Sequence, residues 1–428
     1  MIAPARRAAF DFLCRIEMQM AHSDNVLHSA AASELQPVDR NLVTEIVYGT
    51  LRWRGWLDHV LGKAVSRPWQ RVEPEIRIVL RLSLYQLARM DRIPAHAAIN
   101  DAVELTRRNS HSGAAGFVNG VLRNLIRQKP WLAPDFHRDC PAWVRASLPA
   151  WLWERWQARF GMETAFEYAV ALNRPPQNAF RYRCKSLPVD AAGVRPSELV
   201  PDCFISEAAT LAGDPDARQV QDEASQLIPF LLGQISGSTV WDACAAPGGK
   251  SSILIARCLG NTKVFASDMS EERAQAMKRF LGLCGGGVPQ IVVADVRRPA
   301  PFRIAFDAIL ADVPCSGTGT LRRNPEIKWR LQPERLDELG HNQGRILESV
   351  AASLKNGGRL LYSTCSTEPE ENEQVVTRFL MQHPEFRLER PDFPPGIENR
   401  LDGRGFFRSF PSPRLWDGFF AALMVKSG

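Results

Sequence analysis

Apolar residues recur at helical spacing through the first 130 positions. Ala8, Ala9, Phe12, Leu13 and Ile16 form one stripe, and Leu42, Val43, Ile46 and Val47 form a second. Three more run through Ile76, Val79, Leu80, Leu84 and Leu87, through Ile99, Ala102, Val103 and Leu105, and through Phe117, Val118, Val121, Leu122 and Leu125. Stripes of this period predict amphipathic helices, and five of them predict an all-helical bundle. Breaks at Lys129-Pro130 and Asp139-Cys140-Pro141 precede a helical stretch rich in tryptophan (Trp143, Trp151, Trp153, Trp156), which stops at Asn173-Arg174-Pro175-Pro176. Residues 177–218 are punctuated by proline and predict a small α+β linker module. From residue 219 the pattern changes to short apolar runs at 239–243, 264–267, 291–294, 306–311, 359–363 and 419–425, with helix-like intervals between most of them. Strands alternating with helices predict parallel βαβ units, hence a Rossmann-like doubly wound sheet. The expected domains are therefore 1–130, 131–218 and 219–428.

In such a sheet ligands bind beyond the carboxyl ends of the strands, at the point where strand order reverses. The residues there are strongly patterned. The first strand runs into Asp242-Ala243-Cys244-Ala245-Ala246-Pro247-Gly248-Gly249-Lys250-Ser251, and the next three are followed by Asp268, Asp295 and Asp312. An acidic residue after the second strand can accept both hydroxyls of a ribose, although any one of these aspartates could equally cap a helix. A phosphate loop needs a glycine five residues before Gly249 of the Gly-Lys-Ser segment, and Cys244 stands there; a Gly-x-Gly-x-x-Gly fingerprint does not follow this strand either. Both pyrophosphate sites are thereby excluded. A tight glycine turn flanked by carboxylates suits a nucleoside with no phosphate, and S-adenosylmethionine, with its cationic sulfonium, fits that inventory.

Composition narrows the setting. Hydrophobic residues at 45% and charged residues at 23% are ordinary for a folded protein, and 428 residues are enough for more than one core. No apolar run reaches membrane-spanning length and no secretory block opens the chain, so a cytoplasmic protein is expected. The nine cysteines are odd in number, scattered, and never spaced Cys-x-x-Cys, which argues against a zinc knuckle, another metal site or a disulfide scaffold. Cys14, Cys184, Cys258 and Cys284 read as packing residues, whereas Cys315 and Cys365 lie in polar turns just past strand ends. The net charge is +6, and residues 1–130 alone hold 18 Lys+Arg against 12 Asp+Glu, so the whole excess sits there. A basic domain fused to a neutral one points to a polyanion. Leu51-Arg52-Trp53-Arg54-Gly55-Trp56 interleaves cations with rings that could stack on bases, or could equally put its tryptophans in the core. Arg322, Arg323, Lys328 and Arg330 follow the Cys315 turn and are expected to meet a nucleic-acid backbone.

Three blocks resemble the RNA cytosine-5 methyltransferase superfamily: Asp242 to Lys250; Asp312-Val-Pro-Cys-Ser-Gly-Thr-Gly319 with Arg323-Asn-Pro-Glu-Ile-Lys-Trp329; and Tyr362-Ser-Thr-Cys-Ser366 leading to Glu370-Glu371-Asn372-Glu373. The resemblance implies that Cys244, Ala245, Ala246, Pro247, Gly248, Gly249, Lys250, Asp268, Asp295 and Asp312 contact S-adenosylmethionine. It implies that Cys365 is a nucleophile adding to carbon 6 of cytosine, which makes carbon 5 reactive. Cys315 would assist product release, and Asp312 would also act at N3 of the base. Segments 39–52, 97–104 and 116–123 resemble the RNA-binding NusB-like domain, which within the superfamily implies a 16S rRNA cytosine as target; tRNA or another rRNA cytosine remains open. DNA is disfavoured, because DNA cytosine methyltransferases use the Pro-Cys cysteine as nucleophile. A non-catalytic RNA-binding assembly factor would be expected to have lost one of these blocks. Gln221-Asp222-Glu223-Ala224-Ser225 and Trp416-Asp-Gly-Phe-Phe420 extend the resemblance, while Ser251 and Arg183 depart from it, standing where threonine and asparagine are usual. A monomer is expected, with no membrane partner.

Overall fold

The computed structural model describes residues 2–111, 113–183, 193–206, 217–258, 261–284, 289–411 and 416–428; Cys184 lies outside them. The chain forms two compact units, Met1–Pro175 with Leu321–Arg330, and Pro176–Thr320 with Leu331–Gly428.

The first unit is helical. Each of the five stripes occupies a helix, Pro4–Met18, Pro37–Arg52, Pro74–Arg89, Ala95–Asn109 and Ala114–Gln128, with Arg54–Ala64 among them. Three begin with proline, whose fixed φ and missing N–H suit the first helical turn. Leu13, Ile16, Ile46, Leu51, Leu80 and Leu122 are fully buried between them. The compact unit runs on beyond residue 130, to Pro175. Helices Ala150–Phe160 and Met162–Ala171 continue it, because Trp153 and Trp156 build a core with Leu148, Leu172 and the distant Leu321. Trp56 and Arg52 are buried, and the Arg89 guanidinium lies 3.6 Å from the Trp53 ring centre, so the Arg-Trp segment is core rather than a stacking platform.

Leu321–Arg330 also corrects an expectation. Lys328 and Arg330 are committed to helix ends, which leave carbonyls without intrahelical partners. Lys328 Nζ donates to Arg52 O at 2.8 Å, Ser147 O at 3.0 Å and Asn173 Oδ1 at 3.2 Å. Trp329 Nε1 donates to Leu51 O, and Arg330 to the carbonyls of Ile16 and Ala21. At the other polarity, Glu326 accepts from the backbone N–H and the hydroxyl of Ser23, the first residue of helix Ser23–Leu27. Arg322 is buried, and its carbonyl accepts from Arg52 Nη2.

The second unit holds two sheets. In the smaller, β1 (Asn178–Tyr182), β2 (Val194–Pro196), β3 (Phe204–Ser206) and β4 (Arg218–Val220) pair antiparallel in the order β2-β3-β1-β4. In the larger, β5 (Thr239–Asp242), β6 (Lys263–Asp268), β7 (Gln290–Val293), β8 (Phe306–Asp312) and β9 (Leu354–Thr364) are parallel. Antiparallel β10 (Phe386–Glu389), β11 (Phe407–Arg408) and β12 (Phe420–Lys426) complete it. The order β10-β12-β9-β8-β5-β6-β7 starts at the centre, runs outward through β6 and β7, and returns to β8 on the other side of β5. The switch point thus falls between β5 and β8, where such folds hold ligands. Apolar clusters cover both faces, one built around Trp241, Phe306 and Tyr362 and the other around Val240, Leu310 and Leu361. Burial on both sides explains why the central strands β5, β8, β9 and β12 read as apolar runs.

Candidate active site

A cleft of about 460 Å³ opens at that switch point. Cys244, Ala245, Ala246, Pro247, Gly249, Lys250 and Asp312 line it, together with Gln219, Gln221, Asp242 and Phe280. Gly248 makes the turn possible: its φ is +107°, and a Cβ there would sit 3.0 Å from Met277 Cγ and 3.1 Å from Phe280 Cδ1. The turn feeds helix Gly249–Ala256. Asp242, at the end of β5, is fully buried; Oδ2 accepts from Ser251 Oγ at 2.6 Å, and Oδ1 has no partner among the described residues. Burial pushes its carboxyl up to about 7, against the lowering effect of the Ser251 hydrogen bond. The same burial pushes the Cys244 thiol far above its ordinary value, with Asp242 adding to the shift, so it lines the cleft as an uncharged group.

Asp268 and Asp295 end the next two strand connections but do not line the cleft. Asp268 accepts from Ser270 N at 3.0 Å and pairs with Arg273 at 3.3 Å, and Arg273 also donates to Ala246 O. Asp295 is held by Arg297 through two hydrogen bonds of 2.8 and 2.9 Å, which bring its carboxyl down to about 2.

Asp312, at the end of β8, is gripped through both oxygens, by Lys250 Nζ at 2.6 Å and Ser363 Oγ at 2.7 Å. Burial works against the Lys250 ammonium, but the Asp312 charge and hydrogen bond, with a further contribution from Cys365, outweigh it and raise its pKa. β8 and β9 are neighbours in register, Asp312 opposite Ser363, so the turns that follow them lie side by side. Cys315 and Cys365 sit in those turns with their sulfurs 3.2 Å apart, both free thiols. The hydrogen bond with Cys365 and then burial hold the Cys315 thiol well above its ordinary range.

Two contributors carried no role in the sequence reading. Gln219 Nε2 bonds Gln221 Oε1 at 2.7 Å and Gly249 O at 3.1 Å, tying β4 to the glycine turn. Glu371 reaches both cysteine turns from behind. Each stood inside or beside a quoted block, yet no spacing rule separates a clamp from a surface carboxylate. Gly319 is also sterically required: a Cβ there would lie 1.9 Å from Gly418 O, and the two glycines share a backbone hydrogen bond of 2.8 Å. The Cys315 turn is thereby fastened to the Trp416–Phe420 segment.

Residues 229–425 match the family 16S rRNA methyltransferase RsmB/F, and residues 3–127 match the NusB family. The probable ribosomal RNA small subunit methyltransferase B of Bacillus subtilis is 33% identical over 99% of both chains. Ribosomal RNA small subunit methyltransferase B of Thermus thermophilus is 36% identical over 88% of both. The crystal structure of the protein PH0851 superposes with a TM-score of 0.82 at 26% identity, covering 100% of this chain and 99% of that one. Likeness that runs through the helical unit and the sheet alike, at this identity and coverage, places the chain in the RsmB/F family of 16S rRNA methyltransferases.

Proposed function

We propose that this protein methylates carbon 5 of a cytosine in 16S rRNA, with S-adenosylmethionine as donor and Cys365 as a transient nucleophile. The observation that carries the reading is the pair of free thiols, 3.2 Å apart, beyond adjoining strands and next to the Lys250–Asp312 pair. The cleft suits the donor in size, in the close backbone approach at Gly248, and in the unpartnered Asp242 Oδ1. Cys244 to Lys250 and Asp312 would hold it; Asp268 would take the ribose hydroxyls and Asp295 a further polar group of the nucleoside, exchanging Arg273 and Arg297 for the ligand. Bound there, S-adenosylmethionine supplies a methyl group on a cationic sulfur.

Carbon 5 of cytosine is a weak nucleophile. Addition of the Cys365 thiolate to carbon 6 breaks the ring's 5,6 double bond and places electron density at carbon 5. Protonation at N3 lets the ring accept that density, and an Asp312 carboxylate stabilises the positive charge that builds there. Cys315, held as a thiol, is not a competing nucleophile. In the release step a water positioned by Cys315 takes the carbon 5 proton, the carbon–hydrogen pair re-forms the 5,6 double bond, and the carbon 6–sulfur pair returns to Cys365, whose sulfur the Cys315 thiol, 3.2 Å away, stabilises by hydrogen bonding.

Adduct trapping tests the assignment. Cys315→Ala incubated with RNA and donor accumulates a covalent protein–RNA complex, and Cys365→Ala yields none; the reverse result overturns the roles. Bisulfite sequencing of RNA from a strain lacking the gene identifies the cytosine.

A further inference from the structure

Glu371 is fully buried and fills all four acceptor positions of its carboxylate, three from the two cysteine turns and the fourth from Gln343 of helix Glu334–Ala351. Oε1 accepts from the Ser316 backbone N–H at 2.7 Å and Gln343 Nε2 at 2.9 Å; Oε2 accepts from the hydroxyls of Ser316 and Ser366, each at 2.5 Å. Ser316 follows Cys315 and Ser366 follows Cys365. The bracket closes on the other side of each cysteine. Gln343 Nε2 also donates to Pro314 O at 3.0 Å, and Asn372 accepts from Thr364 Oγ1 at 2.6 Å while donating to Ser366 O at 2.9 Å. Tyr362 fixes the base of the clamp by donating its hydroxyl to Glu371 O. Burying a carboxylate carries a large desolvation penalty, and apolar packing could join two loops without it. Apolar packing would not set the distances of two hydroxyls and an amide, because dispersion has no direction.

We propose that Glu371 is a positioning residue that holds the Cys315 and Cys365 sulfurs at bonding range of one another, using a single carboxylate as the shared reference for both turns. For catalysis the inference rests on the reading above, but thiol pairing can be measured without it. Phenylarsine oxide is the probe: it condenses with two thiols, losing one water, only where both sulfurs reach the same arsenic. The intact protein captures the arsenical, and Cys315→Ala or Cys365→Ala abolishes stable capture. Glu371→Gln keeps the volume and the Oε1 acceptor but presents an NH₂ to two hydroxyls. It is expected to slow capture and kcat each by about 10-fold or more, with KM for RNA within about twofold, as a misplacement of reacting groups does.

Capture by Glu371→Gln at the unaltered rate overturns the proposal, whatever happens to activity. If that variant does not fold, Ser366→Ala, which removes one bridging hydroxyl, is read in the same way, and an unchanged capture rate again overturns it. Slowed capture in a protein whose parent transfers no methyl group supports the positioning role and removes only the activity assigned above.

Discussion

Lys328→Met deletes one ammonium from the helical unit at nearly constant side-chain volume. Three buried acceptors, Arg52 O, Ser147 O and Asn173 Oδ1, lose the donor that reaches them. Leaving them bare costs about 3–5 kcal/mol in all, since carbonyls keep a second lone pair and fall at the low end of the range. Removing a desolvated charge returns about 1–2 kcal/mol, which leaves a net destabilisation of about 1–4 kcal/mol at pH values where Lys328 is protonated. The pH dependence has a definite sign. Burial, reinforced by Arg52, lowers the Lys328 pKa well below 10.5, so between the native value and 10.5 the unfolded chain binds the extra proton. Stability of the unsubstituted protein therefore rises with pH through that window, and the methionine variant lacks this contribution. Nine of the eleven tryptophans belong to the helical unit, so tryptophan fluorescence during urea unfolding follows it selectively. Equal midpoints for the two proteins, or the same pH slope in both, would refute the reasoning.

Asp242→Asn removes a carboxyl whose native pKa of about 7 lies above its ordinary 3.8. The native state then holds more protons than the unfolded state, so this group's contribution falls between about pH 4 and 7, by at most about 1.4 kcal/mol per pH unit. The variant should show a flatter thermal stability profile by calorimetry across that range. Gly319→Ala drives a methyl group into Gly418 O, and a backbone atom cannot step aside as a side chain can; a loss of about 3 kcal/mol or more, seen as a lower Tm, is expected. Gly248→Ala is strained by its φ of +107° and by contacts with Met277 and Phe280, and should weaken S-adenosylmethionine binding in calorimetry by about 10-fold or more while the helical unit unfolds as before.

Five of the six apolar runs of the sheet were legible because burial on both faces makes periodicity unnecessary; the sixth, in edge strand β7, is short and half-exposed, and was legible from its β-branched residues alone. β9 begins at Leu354, five residues earlier than its apolar run, because Lys355, Asn356 and Gly357 are exposed where the pairing with β8 shifts register. β10 escaped notice as a short edge strand, buried mainly at Phe386. The placement of Cys315 and Cys365 in turns at strand ends could be read from sequence, since a strand's end fixes where the following turn lies. Partnerships across the chain could not. Lys328 and Arg330 read as solvent-facing cations because lysine and arginine usually are, and only the fold reveals the helix carbonyls that wait for them. Glu371 is one acidic residue among three in its block, and what separates it from Glu370 and Glu373 is the pair of serines that converge on it.

The excursion Leu321–Arg330 has a consequence for anyone who would cut this molecule in two. Expressed alone, residues 176–428 would still carry ten amino acids evolved to complete another core: Leu321 and Ile327 stripped of their tryptophan neighbours, and Lys328 and Glu326 without the helix termini they serve. A shortened enzyme would thus begin life with a sticky, charged loop immediately downstream of Cys315. Chimaeras between relatives inherit the same constraint, because exchanging the helical portion means exchanging this insert with it.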